Sequence, residues 1–275
     1  MTTQTPTETR ALVREHYGQV AKTDGGCGCG PGCCGGGATA STDLGYDAAE
    51  LAELPKGADM GLGCGTPLAF AALREGEVVL DLGSGGGIDA FLAGRQVGSA
   101  GKVIGVDMTP EMLAKARNNA TRVSASNVEF RLGEIESLPV GDRSIDVVVS
   151  NCVINLSPDK TSVFREAFRV LRPGGRLAIS DIVASAPLPK HIKDDPAALS
   201  GCIAGAPAID DLRANLEAAG FAGVHIEINE ASRSFIKGWS PDSGAENFVA
   251  SAAIRAMRPA GEGCCGTAPK TSSCC

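Results

Sequence analysis

The segment Val78-Val79-Leu80-Asp81-Leu82-Gly83-Ser84-Gly85-Gly86-Gly87 constrains the fold of this 275-residue chain more than any other stretch. Its apolar residues suit a short buried strand, Asp81 sits near the strand's end, and the glycines lead into an apolar, helix-like stretch at 88–97. Glycine lets the backbone take positive φ and approach a ligand closely, and the helix that follows offers unpaired N–H groups. Strand, glycine turn and helix together make a nucleotide cradle.

From Glu77 onward the same alternation recurs. Strands are expected at 77–82, 102–107, 127–132, 144–150, 176–183 and 224–229, with helices between most of them. One helix is expected over 110–123, headed by Thr109 as cap with Pro110 in its first turn. Another starts at Ser157-Pro158-Asp159 and runs to Leu171, where Arg172-Pro173-Gly174-Gly175 should stop it. The alternation implies an α/β fold with a Rossmann-like, doubly wound and mostly parallel sheet, whose ligands bind outside the carboxyl ends of the strands.

Four regions follow. Residues 1–66 hold an amphipathic helix (8–20), a mobile Gly/Cys segment (26–37), a short helix (48–54) and Thr66-Pro67 as the start of a further helix that runs to Leu73. Residues 67–186 form the nucleotide-binding core, and 187–258 supply a substrate lid, with a helix at 208–219, and the remaining sheet elements. Residues 259–275 carry no apolar pattern and are expected to be a disordered tail.

Composition excludes several functions. No apolar run approaches the ~20 residues of a membrane span, and residues 1–20 lack the apolar core of a secretory signal, so a cytoplasmic location and no membrane partner are expected. With a net charge of −7, no basic stripe, one Trp and two Tyr, the chain is poorly suited to nucleic acid.

The choice of nucleotide turns on a missing residue. A dinucleotide fingerprint would place its third glycine at position 88, which is Ile88. Asp81, two residues before Gly83, can instead receive a ligand's ammonium. Asp107 ends the second strand, where a carboxylate accepts from ribose hydroxyls. Gly133-Glu134-Ile135 ends the third and offers acceptor and backbone groups for an adenine edge. If Asp81 and Asp107 merely capped turns, their order on successive strand ends would have no reason. The set resembles the class I S-adenosylmethionine-dependent methyltransferases, which implies cofactor contacts from Gly83, Ser84, Gly85, Met108 and Asn151 as well.

Eleven cysteines are the compositional anomaly. In a reducing compartment they point to metal, metalloid or redox chemistry rather than a static disulfide framework. Cys64 precedes the first strand, Cys152 follows the fourth, and Cys202 falls in the lid, so three thiols remote in sequence can converge above one end of the sheet. For any one of them alone, a small buried hydrophobe is the ordinary alternative.

Gly61-Leu62-Gly63-Cys64-Gly65, Val106-Asp107-Met108-Thr109-Pro110, the stretch from Ser150-Asn151-Cys152-Val153-Ile154-Asn155 to Lys160, and Ser200-Gly201-Cys202 resemble the arsenite methyltransferases. The resemblance covers about residues 10–221. It implies that Cys152 and Cys202 bind As(III), with Cys64 and one N-terminal cysteine as reducing thiols. Cys33 or Cys34 is the nearest counterpart of the latter. Soft thiolates select a soft centre, and methylation of a bound As(III) needs no general base, which suits a chain with only three histidines. The resemblance further implies arsenite and methylated arsenicals as ligands, and thioredoxin or glutathione as reductant. The remaining cysteines, Cys27, Cys29, Cys264, Cys265, Cys274 and Cys275 among them, are expected to modulate rather than catalyse. Two other functions compete: a class I methyltransferase for an organic molecule, and a metalloid-binding thiol protein.

Overall fold

The structure is a computed structural model and describes residues 5–22, 38–239 and 242–261. The Gly/Cys segment at 26–37 and all but the first three residues of the 259–275 tail lie outside those residues. So do Cys27, Cys29, Cys33, Cys34, Cys264, Cys265, Cys274 and Cys275.

In chain order the helices are α1 (Pro6–Lys22), α2 (Ala38–Asp43), α3 (Ala48–Ala52), α4 (Leu68–Ala71), α5 (Ile88–Val97), α6 (Pro110–Arg122), α7 (Lys160–Val170), α8 (Lys190–Lys193), α9 (Pro196–Ser200), α10 (Ile209–Ala218) and α11 (Ser232–Trp239). The strands are β1 (Val78–Leu82), β2 (Lys102–Asp107), β3 (Val128–Leu132), β4 (Ile145–Asn151), β5 (Leu171–Ala184), β6 (Ala222–Asn229) and β7 (Val249–Met257). They form one seven-stranded sheet in the order β3-β2-β1-β4-β5-β7-β6. The first five are mutually parallel; β7 runs antiparallel to both β5 and β6. This is the class I methyltransferase architecture. No described helix is long and apolar enough to cross a membrane.

The sheet is apolar on both faces because helices cover both, as parallel sheets require. On one side Leu80, Leu82, Val148, Leu177 and Ile179 pack against Val163, Phe164 and Ala167 of α7 and Leu212 and Leu216 of α10. On the other, Val79, Val103, Val147 and Val149 meet Phe91 and Leu92 of α5 and Leu113 and Ala116 of α6. A third cluster, above the carboxyl ends of the strands, joins Val13 of α1, Ile192 of α8, Ile203, Trp239 of α11, and Cys64, Cys152 and Cys202.

The six expected strands are present; β7 was not expected. Its sequence, Val-Ala-Ser-Ala-Ala-Ile-Arg-Ala-Met, is rich in alanine, which favours helix over strand. Tertiary pairing on both sides overrides that preference. Local capping also differs from expectation. The residues 172–175 do not simply end a helix: α7 stops at Val170, and Leu171 and the Pro-Gly-Gly stretch open β5, with a register shift against β4. Asp159, rather than Ser157, caps α7 by accepting from Ser162 N at 3.0 Å. Thr66 caps nothing; its hydroxyl donates to Leu44 O at 2.9 Å, and α4 ends early where Ala72 turns left-handed at φ 50°. Thr109 heads α6 without a side-chain capping bond.

Candidate active site

The carboxyl ends of β1, β2 and β4, the start of the loop after β3, the segment around residues 58–63 and one face of α1 enclose a cavity of about 1070 Å³, its open mouth included. Asp81, Gly83, Ser84, Gly85, Asp107, Met108, Gly133, Ile135, Asn151 and Cys152 all line it, which brings together nearly all the cofactor residues expected from sequence. Glu134 is the exception. Its carboxylate pairs with Arg10 and Arg14 of α1, at 3.3 Å each, and does not reach the cavity wall.

The glycine turn works by close approach. Gly83 has φ +67°, and a Cβ there would lie 2.5 Å from a Val153 methyl. At Gly86 a Cβ would stand 2.7 Å from Gly57 O, so the 57–60 segment closes directly over the turn. Asn119 of α6 holds the turn from behind by donating to Gly86 O at 3.1 Å. Asp107 ties the turn to β2: its two oxygens accept from Gly85 N and Thr109 N, at 2.9 and 2.8 Å.

Three polar atoms on the cavity wall are buried and lack partners: Asp81 Oδ2, Asp59 Oδ2 and Ser84 Oγ. A buried carboxylate oxygen without a donor is costly, so these atoms mark where a ligand's donors belong. Burial, and then the charges of Asp89 and Asp107, push the Asp81 acid well above the ordinary carboxylate range. Asp89 is pushed up to about 6 by burial, which outweighs the bonds it accepts from Tyr46 and Asn151. Four acidic groups around one glycine cradle favour a ligand that brings positive charge. An amino-acid nucleotide with an ammonium and a sulfonium fits them; a pyrophosphate does not. The residues present therefore suit S-adenosylmethionine.

Asn151 links this cradle to the thiols. Its amide donates to the Tyr46 hydroxyl and to Gly65 O, both at 2.8 Å, and its carbonyl accepts from Cys64 N at 3.1 Å. Cys64, Cys152 and Cys202 are 0%, 7% and 1% exposed, and only Cys152 forms part of the cavity wall. Ser180 O on β5 gathers two of them, accepting from Cys152 N at 2.9 Å and from Cys64 Sγ at 3.4 Å. The Cys202 thiol donates to Cys152 O at 2.8 Å. All three are free thiols.

The backbone at this corner is held in an uncommon shape. Cys152 and Cys202 both lie in the left-handed region, at φ 56° and 61°, which costs of order 1–2 kcal/mol for a non-glycine residue and persists only where surroundings over-determine it. Asn155 supplies that determination: its amide donates to Ile182 O at 2.7 Å and to Cys202 O at 3.0 Å, which straps the segment after α9 to β5. At Gly205 the same segment passes so close that a Cβ would fall 2.1 Å from Asn155 O. From the cavity side, the Tyr17 hydroxyl on α1 donates to Ser200 O at 3.0 Å.

Neighbouring Cys202 and Cys64, together with burial, push the Cys152 thiol well above its ordinary range. For Cys202, the Cys152 thiol pulls down, but burial and the nearby Asp181 and Cys64 raise it more. In the folded protein at neutral pH these groups are thus thiols rather than thiolates. Asp181, on β5, is itself pushed up to about 6 by burial, against the opposing pull of the Ile182, Asn155 and Ile154 backbone N–H groups and the half-buried Lys160.

Sequence reasoning overlooked Tyr46, Asp59, Asp89, Asn155 and Asp181. Only Asp181 carried a signal, a polar pair Ser180-Asp181 near the carboxyl end of an apolar strand, where site residues of this architecture cluster. Cys33 and Cys34, the expected N-terminal thiols, lie outside the described residues.

A family model described as a methyltransferase domain matches residues 73–227. The chain is 52% identical over 266 residues to an arsenite methyltransferase of Halobacterium salinarum, a match that spans 93% of this chain and 68% of that protein. It is 41% identical over 153 residues to the human arsenite methyltransferase, across 52% of this chain and 40% of the human protein. Among solved structures, an arsenic(III) S-adenosylmethionine methyltransferase from Chlamydomonas reinhardtii superimposes with a TM-score of 0.62 at 35% identity, covering 77% of this chain and 72% of that one. With the fold, the cradle and these relatives in agreement, the chain belongs to the arsenite methyltransferase family of class I S-adenosylmethionine-dependent methyltransferases.

Proposed function

We propose that this chain methylates arsenite held by Cys152, Cys202 and Cys64, in the cytoplasm, with thioredoxin or glutathione as the terminal reductant. The observation that carries the reading is the convergence of three thiols, separated by 88 and 50 residues in sequence, on one buried corner that opens to the cofactor cavity only at Cys152.

Arsenite brings hydroxyls to arsenic, and each thiol proton leaves with one of them as water, so raised thiol pKa values do not obstruct loading. S-adenosylmethionine, when bound, supplies an electrophilic methyl group. Asp81, Asp107, Gly83, Ser84, Gly85, Met108 and Asn151 hold and orient it, Gly133 and Ile135 bound its adenine end, and α1 with the 57–63 segment excludes water. No residue has to remove a proton from the nucleophile, because the arsenic lone pair is the nucleophile. Fixed thiols therefore contribute chiefly positioning.

Methylation raises arsenic formally to As(V). A thiolate that attacks an arsenic-bound sulfur forms an S–S bond and leaves the electron pair on arsenic, which returns it to As(III). Cys64, with Cys33 or Cys34 as its N-terminal partner, is the dithiol assigned to that step, and the external reductant reopens the disulfide.

The test is purified protein with labelled S-adenosylmethionine, arsenite and a thiol reductant, run beside Cys64→Ser, Cys152→Ser and Cys202→Ser. Cys152→Ser and Cys202→Ser are expected to lose methylation, and Cys64→Ser to stall after the first turnover. Normal methylation by Cys152→Ser would refute the assignment. Transfer to an organic acceptor with arsenite inert would favour an organic-substrate methyltransferase; arsenite binding without transfer would favour a thiol-based metalloid carrier.

A further inference from the structure

Cys152 belongs to two donor sets of different chemistry. Toward the lid it meets Cys202, whose thiol is bonded to the Cys152 carbonyl. Toward β5, Cys152 Sγ, Cys64 Sγ and a carboxylate oxygen of Asp181 all lie within 4.8 Å of one another, and Cys202 is not part of this second group. Asp181 is 3% exposed. Its oxygens accept from Ile182 N at 2.8 Å and Ile154 N at 3.0 Å, with the Asn155 N–H as a further backbone donor, which fixes the plane of the carboxylate. Outer bonds of this kind are what orient a metal-binding carboxylate.

Trivalent arsenic uses three soft donors, and a hard carboxylate adds little for it. A borderline divalent ion differs: Zn²⁺ takes thiolate sulfur at about 2.3 Å and carboxylate oxygen at about 2.0–2.2 Å, and with three protein ligands it keeps a fourth position for water. Donors around such an ion stand roughly 3.5–3.8 Å apart by the same bond lengths. With the three atoms within 4.8 Å of one another, a contraction of at most about 1 Å brings them to that spacing. The cavity face of Cys152 supplies the entry path and room for the water.

We propose that Cys64, Cys152 and Asp181 form a Zn²⁺ site with water in the fourth position. Loading breaks two S–H bonds and forms two Zn–S bonds, with both protons released to solvent and no change of oxidation state. Because Cys152 and Cys64 are shared, zinc and arsenite exclude each other. The zinc site stands on geometry alone; only the exclusion of arsenite rests on the function proposed above.

The test uses the reduced full-length chain with the eight other cysteines changed to Ser. Zinc is titrated against a chromophoric chelator, its shell is read by X-ray absorption at the zinc edge, and arsenite binding is read from Trp239, which packs in the same apolar cluster as the three cysteines. One zinc per chain is expected, with two sulfur neighbours and the rest oxygen. Asp181→Asn should weaken zinc at least tenfold while arsenite affinity stays within about threefold, and Cys202→Ser should do the reverse. No zinc uptake, a shell of three or more sulfurs, or an Asp181→Asn variant with unchanged zinc affinity would overturn the proposal. If Asp181→Asn fails to fold, the zinc shell of the parent and the Cys202→Ser arm decide it. Failure of the parent to bind arsenite, with zinc behaving as expected, would refute the arsenic assignment and leave the zinc site standing.

Discussion

Asp89 shows what a single buried carboxylate costs and how the cost can be measured. Its pKa in the folded protein is about 6 against an ordinary 3.8, so between those values the folded state holds the proton more firmly than the unfolded one. Stability attributable to this group therefore falls as pH rises from 4 to 6; the cost is absent below 3.8 and complete above 6, at most about 3 kcal/mol. Asp89→Asn keeps an acceptor for Tyr46 and removes the charge. Urea unfolding at pH 4.5 and 7 should show the variant gaining on the wild type at the higher pH, and a constant difference would contradict this. Gly65 tests packing instead of charge. A Cβ at this position would fall 2.1 Å from Ser180 Oγ and 3.3 Å from its Cβ, so Gly65→Ala should destabilise and Ser180→Ala should relieve it. A double-mutant cycle is expected to give a favourable coupling of about 1 kcal/mol or more.

Among the elements, α1 has the most direct functional consequence. It is amphipathic, and its inner face places Arg10, Val13 and Tyr17 on the cofactor cavity. Arg10 anchors it by ion pairs to Glu134 and Glu136 at 3.3 and 3.2 Å, and the low exposure of Glu136 (9%) makes that pair less screened than a surface one. Arg10→Glu would place three acids together and lift the helix from the cavity. Calorimetry should show S-adenosylmethionine affinity reduced about tenfold or more with arsenite affinity nearly unchanged. The helix's existence was legible from the spacing of Leu12, Val13, Tyr17 and Val20. What it covers was not, because amphipathic periodicity reports that a face is buried and not against what. The 187–258 region is a similar case: its helix at 208–219 was expected, yet the Asn155 strap that fixes Cys202 joins residues 47 apart and leaves no local pattern.

At the scale of the molecule, β7 closes the fold. It pairs along its length with β5 and also with β6, and Ile254, 1% exposed, packs in the same core as Leu80 and Phe164. Ile254→Ala should cost about 2–5 kcal/mol and lower the midpoint of one cooperative transition. If instead only the β6–β7 end melted early, as a separate phase by fluorescence and circular dichroism, the sheet would not be a single cooperative unit.

The residues alone determined the nucleotide half of the site. Strand, glycine turn and strand-end acids are local or repeat at regular intervals, and Asp81, Gly83, Gly85 and Asp107 all reach the cavity from positions that periodicity fixes. They also carried the resemblance to class I methyltransferases, while the cysteine-bearing motifs carried the resemblance to the arsenite methyltransferases that the relatives support. Only the tertiary structure decided the rest: that an alanine-rich segment is a strand paired on both sides, that Glu134 serves α1 rather than the cavity, that Asp181 stands beside Cys64 and Cys152, and that two thiols occupy left-handed backbone. Each depends on contacts between segments far apart in the chain, and their free energy comes from burial and pairing that no single segment contains.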